Sequence, residues 1–503
     1  MMPWKNAALR EDAKSVLARA YARSRESLLC CTLAAIAGCA AGPDYRRPEL
    51  HTPQRVTRET LTDTVASQGA QGNAQHFDAE ATIAREWWSA FGSPTLDALI
   101  KEAFEHNPNI DAAAAALRAA QENVAAQRST FFPSAQLNYS PSRQQNAVGT
   151  ISPTLTSGAP QYTLHTAQLS IAYVPDVFGL NRRTVESLAA QEDQQRYELD
   201  AVYLTLASNV VAASVQEASL RAQVDATNEI IAAETKALEL LRFQAKAGYA
   251  NGLDVAAQDS ALAAVQASLP PLQKQLEQTR DLIAILAGKY PAEAGADRFD
   301  LDELRLPSTL PPALPAQIVE RRPDVRAAEA QVRSASAQVG VAVANRLPQF
   351  SLSANYGGSS EKFTKMFSDH NVFWAVVGSA TQTVFDFGAL KHKQKSAEAA
   401  LDQAAAQYRG VVLSAFQNVA DALYALDADA KALAAAERAE ASAKKTLDLT
   451  RKQLDAGFIN AIALLGAQQS YQQARIALIQ ARAARLNDTA ALFQALGGSW
   501  LDK

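Results

Sequence analysis

The chain is built twice on the same plan, and this duplication constrains its fold more than any other feature. Two prolines 25 residues apart begin each copy, Pro108 with Pro133 and Pro323 with Pro348. Spacings of 69 and then 40 residues separate three glycines in each copy, which are Gly179, Gly248 and Gly288 and then Gly388, Gly457 and Gly497. An internal repeat of this kind predicts two structural repeats of one design.

Each copy contains a very long stretch without proline, residues 184–247 and residues 395–456. In the second stretch, apolar residues recur at alternating intervals of four and three, at Val412, Phe416, Val419, Leu423, Leu426, Ala430 and Leu433. This period of seven predicts helices that supercoil against neighbours. Charged residues occur throughout both stretches, so we expect rods of roughly 90 Å in water rather than membrane-spanning helices.

A β-hairpin is predicted before each long helix, over about 134–176 and about 349–386. Apolar and small polar residues alternate in both, as in Leu169-Ser170-Ile171 and Leu352-Ser353-Ala354. This pattern is typical of membrane barrel strands, although strands of a soluble sandwich show it too. Membrane barrels start at about eight strands and lipid tolerates no open edge, so four strands would require several chains to share one barrel.

The N-terminal residues indicate secretion and lipid attachment. Basic residues precede an apolar run of about ten residues that ends at Ile36-Ala37-Gly38-Cys39, the pattern of a lipoprotein signal peptide over 1–38. Cleavage would leave a lipidated Cys39 at the mature N-terminus, followed by Ala40, which resembles the outer-membrane sorting pattern. The only other cysteines are Cys30 and Cys31, so the chain beyond Cys39 has no disulfide and no thiolate metal site.

These features predict an order of segments along the chain. A lipid-anchored extended segment (39–85) precedes the first repeat (86–290, with a turn at 248–253), a proline-rich linker (291–315), the second repeat (316–499, with a turn at 457–462) and a C-terminal tail (500–503). Proline lacks the amide hydrogen that a helix needs, so Pro133 and Pro348 mark the crossovers from helix to strand.

Composition and motifs argue against catalysis and against nucleic-acid binding. The formal charge is −4 and no long basic run occurs, which argues against nucleic acid as a partner. The six histidines are scattered, and no catalytic, nucleotide-binding or metal-binding motif is present. We therefore expect no enzyme activity, no cofactor and no metal.

Several segments together resemble the outer-membrane factors of tripartite efflux pumps, the TolC and OprM type, and specifically the NodT-like lipoprotein branch. They are Gly42-Pro43-Asp44-Tyr45-Arg46-Arg47-Pro48, Trp87-Trp88-Ser89-Ala90-Phe91, Val174-Pro175-Asp176-Val177-Phe178-Gly179, Arg321-Arg322-Pro323-Asp324-Val325, Phe385-Asp386-Phe387-Gly388 and the C-terminal stretch from Ala467-Gln468-Gln469 to Gly498. The resemblance implies a mainly α chain with a membrane β-barrel portion, whose homotrimer forms a 12-strand β-barrel and a 12-helix periplasmic α-barrel. The implied function is the passive exit duct of a multidrug or toxic-compound efflux pump, lipid-anchored in the outer membrane and projecting into the periplasm. The implied partners are a periplasmic adaptor, an inner-membrane proton-driven (RND) transporter and outer-membrane lipid.

The resemblance also assigns roles to particular residues. Turns that face the adaptor would contain Gly248, Asn251, Gly252, Asp254, Gly457 and Asn460, and the second copy has no counterpart of the Asp254 carboxylate. Asp421 would form an acidic ring at the periplasmic gate. For Asp427 and Asp429 we prefer the simpler interpretation of solvated carboxylates on a helix face.

Two other functions remain open from the sequence. One is a type I secretion channel of the same fold, which a neighbouring ABC transporter gene would indicate. The other is a lipid-anchored coiled-coil scaffold without a pore, in which residues 134–174 and 350–386 would lie in water. Channel conductance in a lipid bilayer distinguishes the scaffold from both channels.

Overall fold

The structure, a computed structural model, describes most of the chain beyond residue 40. The described residues are 41–49, 53, 55–59, 62–78, 83–145, 161–293, 298–311, 318, 320–459 and 461–498. The predicted signal peptide, Cys39, Asn460 and the tail 500–503 lie outside them.

Helices dominate both copies. The first copy comprises β1 (His76–Phe77), a 3-10 helix (Trp87–Phe91), α1 (Pro94–His106), α2 (Pro108–Ser129), β2 (Ser134–Gln145), β3 (Gln161–Tyr173), α3 (Leu180–Lys246), α4 (Gly252–Leu286) and a 3-10 turn (Pro291–Glu293). The second comprises β4 (Thr309–Leu310), α5 (Pro323–Ala344), β5 (Gln349–Ser360), a 3-10 turn (Phe363–Lys365), β6 (Val372–Thr381), α6 (Ala389–Asp455) and α7 (Ala461–Ala495).

The structure confirms that the chain consists of two repeats. Corresponding helices have equal lengths: 22 residues in α2 and α5, 67 in α3 and α6, and 35 in α4 and α7. All six landmark glycines have positive φ, between 74° and 92°, a region that favours glycine because it has no Cβ. The conserved spacing therefore reflects backbone geometry that recurs at the same positions of both copies.

The long helices begin a few residues earlier than predicted, at Leu180 and Ala389. In the first copy, the carboxylate of Asp176 accepts hydrogen bonds from the backbone N–H groups of Asn181 (3.0 Å) and Arg182 (2.9 Å). In the second, Asp386 accepts from Gly388 and Leu390, both at 2.8 Å. These bonds satisfy amides that a helix N-terminus leaves free, so helix formation starts directly after the glycine.

One compact unit contains the sheet. Its described residues come from 41–48, 118–193 and 330–406, so both copies contribute to it. Its four antiparallel strands follow the order β2-β3-β5-β6. All four strand ends that connect to the helices lie at one end of this sheet, so the strand ends Gln145, Gln161, Ser360 and Val372 lie toward the other.

The other compact unit is helical and comprises residues 49–117, 194–329 and 407–503. On α6, Val412, Val419, Leu423, Leu426, Ala430 and Leu433 are buried, which confirms the period of seven, and Phe416 is half-buried. Near the end of α7, Phe493 stacks on Trp87 with ring centroids 5.3 Å apart. Among the described residues, no helix combines the length and apolarity that a bilayer crossing requires.

Candidate functional site: a two-faced sheet and the ends of the long helices

The register of the sheet separates apolar from polar side chains. Leu137, Leu169, Tyr356 and Trp374 form one row across all four strands, and Ala135, Ile171, Ala354 and Val376 form the next row on the same face. The opposite face carries rows such as Gln136, Ser170, Asn355 and Ala375. The four strands therefore form a single sheet with an apolar face and a polar face.

The apolar face is uncovered in a single chain. Leu137 is 80 % exposed, Trp374 74 % and Val376 71 %. A contiguous exposed apolar surface marks contact with a membrane or with another protein. The stretch from Phe350 to Gly358 on β5 is about 26 Å long at about 3.3 Å per residue, close to the apolar band of about 25 Å in membrane barrels.

The sheet is open at both edges. Within the described residues, β2 pairs only with β3, and β6 pairs only with β5. Each edge therefore presents unpaired backbone groups, and four strands are too few to bring the edges together in one chain. Closure of this sheet requires further copies.

The crossovers between helix and strand are built from the predicted prolines and from the capping aspartates. Pro133 and Pro348 directly precede β2 and β5. Hydrogen bonds from backbone amides, with that of Leu390 the strongest contributor, lower the pKa of Asp386 below its usual value. Asp386 therefore remains charged at the N-terminus of α6, where the helix dipole favours a negative charge.

The first described residues are bound to the crossover of the first copy. The Ala41 N–H donates to the carbonyl oxygen of Phe178 at 3.0 Å. The buried Arg183 guanidinium donates to the carbonyl of Ala41 (3.2 Å) and to the carboxylate of Asp44 (2.8 Å). At Gly42, with φ of +90°, a side chain would collide with the backbone of Gly340. These contacts explain the glycine at position 42 and the aspartate at position 44.

The turns that end α3 and α6 have the same geometry. Tyr249 N–H donates to the carbonyl of Gln244 (2.8 Å), and Phe458 N–H donates to that of Gln453 (2.9 Å). With Gly248 and Gly457 in the left-handed region, both turns are Schellman motifs. Asn251 then caps α4 by accepting from the N–H of Asp254 at 2.8 Å. Nothing lies within 4 Å of a Cβ built on Gly248, Gly252 or Gly457, so all three are in open space.

Both turns present an aromatic ring to solvent at the same position. Tyr249 is 87 % exposed and Phe458 is 82 % exposed. In most Schellman motifs this position contacts the preceding helix. The exposure of both rings makes the two tips a candidate contact surface.

Asp421 is exposed on α6, where Gln417 Nε2 donates to its carboxylate at 3.4 Å. It lines a groove of about 390 Å³ between α6 and α7, together with Asp488 and Arg322. The helix continues for 34 residues beyond Asp421, which places this carboxylate about 50 Å along α6 from the tip.

The expectation that Asp429 is a solvated carboxylate is wrong. Asp429 is half-buried, and burial, followed by the neighbouring Asp488, raises its pKa to about 7. The fully buried Arg485 lies nearby on α7 and opposes this shift. Asp427 is different, because it forms an ion pair of 2.6 Å with Lys431 one turn further along α6.

Arg485 itself was not predicted, and it holds the N-terminal segment. Its guanidinium donates to the carbonyls of Gln71 (2.8 Å) and Asn73 (2.7 Å) and to Oγ1 of Thr64 (3.1 Å). More than 400 residues separate the partners in sequence. No local pattern reports such a contact.

Comparison with known proteins places the chain in a family. Residues 99–289 and 314–498 match the outer membrane efflux protein family. The chain is 29 % identical over 424 residues to the pyoverdine export outer membrane protein OpmQ of Pseudomonas putida, which covers 84 % of this chain and 90 % of that protein. It is 28 % identical over 483 residues to the probable efflux pump outer membrane protein TtgC of the same species, covering 94 % and 96 %.

The fold agrees with this relationship. The solved structure of the outer-membrane channel OprN superimposes with a TM-score of 0.81 at 27 % identity, covering 92 % of this chain and all of that one. The two regions that match the family, residues 99–289 and 314–498, follow the two repeats. The chain therefore belongs to the outer membrane efflux protein family, and it is an outer-membrane efflux channel component of the TolC-like fold.

Proposed function

We propose that this chain is the passive, lipid-anchored exit duct of a tripartite multidrug or toxic-compound efflux pump. The observation that carries the proposal is the open, two-faced sheet, from one end of which all four helical connections leave. The apolar face suits lipid, the polar face suits a water-filled lumen, and the helices provide a continuation of that lumen into the periplasm.

A homotrimer resolves the open edges. Three copies supply twelve strands, so that β6 of one subunit pairs with β2 of the next and no edge remains. The same three copies supply twelve long helices, four from each chain (α3, α4, α6 and α7), for a periplasmic α-barrel.

The lipid anchor lies close to the sheet in this proposal. Cys39 precedes Ala41 by two residues, a span of at most about 7 Å. Because Arg183 and Phe178 hold Ala41 at the crossover, acyl chains on Cys39 would enter the inner leaflet of the outer membrane beside the barrel.

The tips provide the surface for a periplasmic adaptor, below which an inner-membrane RND transporter supplies the energy. The exposed Tyr249 and Phe458, together with Asn251 and Asp254, form this surface, and Asn460 follows Phe458 by two residues in the sequence. Aromatic side chains are enriched at protein interfaces because they bury a large area at a small entropy cost.

Asp421 is the proposed gate residue. Three copies of an exposed carboxylate at one height of the α-barrel would form an acidic ring that favours cations. With Asp421 about 50 Å from the tip, this ring lies well inside the helical barrel.

Conductance tests the duct. Purified, processed protein should migrate as a heat-modifiable trimer and produce single-channel currents in a planar lipid bilayer. A monomer without conductance would support the scaffold and exclude the duct. A photo-crosslinker at Tyr249 should then capture an adaptor with an RND transporter, whereas capture of an ABC transporter would indicate type I secretion.

Ion selectivity tests the gate. We expect Asp421→Ala to reduce cation selectivity and to change conductance, because it removes three charges from the lumen. Asp427→Ala is the matched control, since its carboxylate already pairs with Lys431. Equal cation selectivity in the Asp421→Ala variant and in the unmodified channel would show that Asp421 does not line the constriction.

A further inference from the structure

The loop between β5 and β6, residues 361–371, folds back over the apolar face of the sheet. We refer to it as the outer loop. The Phe363 ring lies against Tyr139 of β2 (5.8 Å between centroids) and His165 of β3 (6.1 Å), edge-on to both. The same two residues are linked by a hydrogen bond of 2.9 Å between Tyr139 Oη and His165 Nδ1.

The outer loop is also fixed to its own strand. Met366 is buried above Gly358, where a Cβ would collide with the Met366 carbonyl oxygen. Asn371 Nδ2 donates to the carbonyl of Lys365 (2.8 Å), and Ser359 N–H donates to the carbonyl of Asn371 (2.9 Å). The loop is therefore an ordered element with a defined position on this face.

That position is the upper limit of the apolar band. Below Tyr139 on the same face of β2 lie Leu137 and Ala135, whereas beyond it lie Pro141, Arg143 and Gln145. All helical connections leave from the opposite end of the sheet, and in this family the helices project into the periplasm. The outer loop consequently lies at the level of the outer leaflet.

Two aromatic rings of this ordered loop are more than half exposed. Phe363 is 59 % exposed and Phe367 is 60 % exposed, although the loop around them is held by several hydrogen bonds. Lys362 and Lys365 lie on either side of Phe363 and are also exposed. Exposed aromatic rings flanked by lysines, at the boundary of an apolar band, are typical of the interface between hydrocarbon and headgroups.

We infer that the outer loop is a lipid-binding element that seats in this interface of the outer leaflet. Phe363 and Phe367 enter the boundary of the hydrocarbon, and the Lys362 and Lys365 ammonium groups reach headgroup phosphates. The occupant is lipid because the surface is continuous with the row of Leu137 and Trp374 that the barrel presents to hydrocarbon. The inference rests on the proposed placement of the sheet in the membrane.

Single cysteines test the inference, since the chain has no cysteine beyond Cys39. Phe363→Cys and Phe367→Cys would each carry a nitroxide spin label in trimers reconstituted into phospholipid bilayers. Collision rates with oxygen, which concentrates in lipid, are compared with those of a water-soluble nickel chelate. Trp374→Cys on the apolar face and Asn355→Cys on the polar face are the two reference positions, and heat-stable trimers identify folded variants.

We expect the oxygen-to-nickel ratio at both loop positions to fall between those at 374 and 355. Reconstitution into bilayers that contain phosphatidylglycerol, rather than into neutral bilayers, should slow the motion of the label at both positions, because the anionic headgroups attract Lys362 and Lys365. A ratio at 363 and 367 equal to that at 355, with 374 in lipid, would overturn the inference and leave the duct intact. Labels that neither reagent reaches would also overturn it, because protein would then cover the loop. A ratio typical of water at 374 would instead contradict the membrane placement of the sheet itself.

Discussion

Val376 and Val377 are neighbours on β6 that face opposite sides of the sheet, and they offer a matched pair for substitution. Val376 belongs to the row of Ala354 on the apolar face, and Val377 pairs with Ser353 on the polar face. We expect Val376→Lys to destabilise the membrane-inserted trimer by about 2–4 kcal/mol, because a lysine on the lipid face is costly near the bilayer midplane. Val377→Lys should leave trimer stability almost unchanged and reduce cation conductance.

Loss of heat-resistant trimer on denaturing gels, together with single-channel recording, measures both effects. Equal losses of trimer in the two variants would show that the two faces are not in different solvents.

Asp429 gives the channel a pH dependence whose sign follows from its pKa. In the folded chain this pKa is about 7, against an ordinary aspartate value of about 4. Between these two pH values, Asp429 is protonated in the folded chain and deprotonated in the unfolded chain. The free energy of unfolding therefore falls as pH rises from about 4 to about 7. We expect Asp429→Asn to raise the melting temperature at pH 8 and to change it little at pH 4.5.

Circular dichroism at the two pH values measures this prediction. Asp427→Asn, two residues away and paired with Lys431, is the control and should melt like the unmodified protein at both values. An Asp429→Asn variant that melts lower at pH 8 would show that the carboxylate is needed in its charged form.

At the residue scale, the sequence predicts positions whose role is local. Pro133, Pro348 and the landmark glycines could be singled out from the sequence, because the end of a helix or a positive φ restricts which residue types a position accepts. The contacts of the buried Arg485 could not be predicted, because its partners Thr64, Gln71 and Asn73 come from the other end of the chain. The position of a carboxylate on a helix face does not show whether the side chain faces water or is covered by a segment from elsewhere in the chain.

At the scale of elements, the duplicated turns combine two constraints. The helix ends with a glycine in the left-handed region, and the next residue presents an aromatic ring to solvent. We expect Gly457→Ala to destabilise the tip by roughly 1–2 kcal/mol, because φ of +74° strains any residue with a Cβ. Gly410→Ala in the interior of α6, where nothing lies within 4 Å of a Cβ, should instead stabilise the helix by about 0.5–1 kcal/mol.

Hydrogen exchange at the last turn of α6 measures the local effect of Gly457→Ala, and the melting temperature measures that of Gly410→Ala. If alanine at 457 leaves exchange at the tip unchanged, the turn does not depend on glycine.

Most helices and strands could be predicted from the periodicity of apolar residues and from the positions of proline and glycine. The period of seven on α6 predicted which side is buried, and the alternation in the hairpins predicted strands. The starts of α3 and α6 were misplaced by four and six residues, because Asp176 and Asp386 act through side-chain bonds to the backbone that no hydrophobic pattern contains.

At the scale of the whole molecule, processing of the N-terminus is a direct prediction from sequence. We expect Cys39→Ser to accumulate as an uncleaved precursor without acyl chains, because lipidation of that thiol precedes cleavage in lipoproteins. Mass spectrometry of the N-terminal peptide and labelling with a palmitate analogue measure the two steps. Asp44→Asn is a matched control that loosens the contact with Arg183 while leaving the cysteine in place, and it should be processed normally. A Cys39→Ser chain of mature length would exclude the lipoprotein signal.

The open edges of the sheet have a genetic consequence. A subunit with one damaged edge still has one sound edge, so it can join a growing ring and prevent that ring from closing. In a cell that makes damaged and sound subunits together, most rings would contain at least one defective member. Mutations of β2 or β6 that spare folding should therefore be dominant over the wild-type allele, whereas mutations that destroy folding should be recessive.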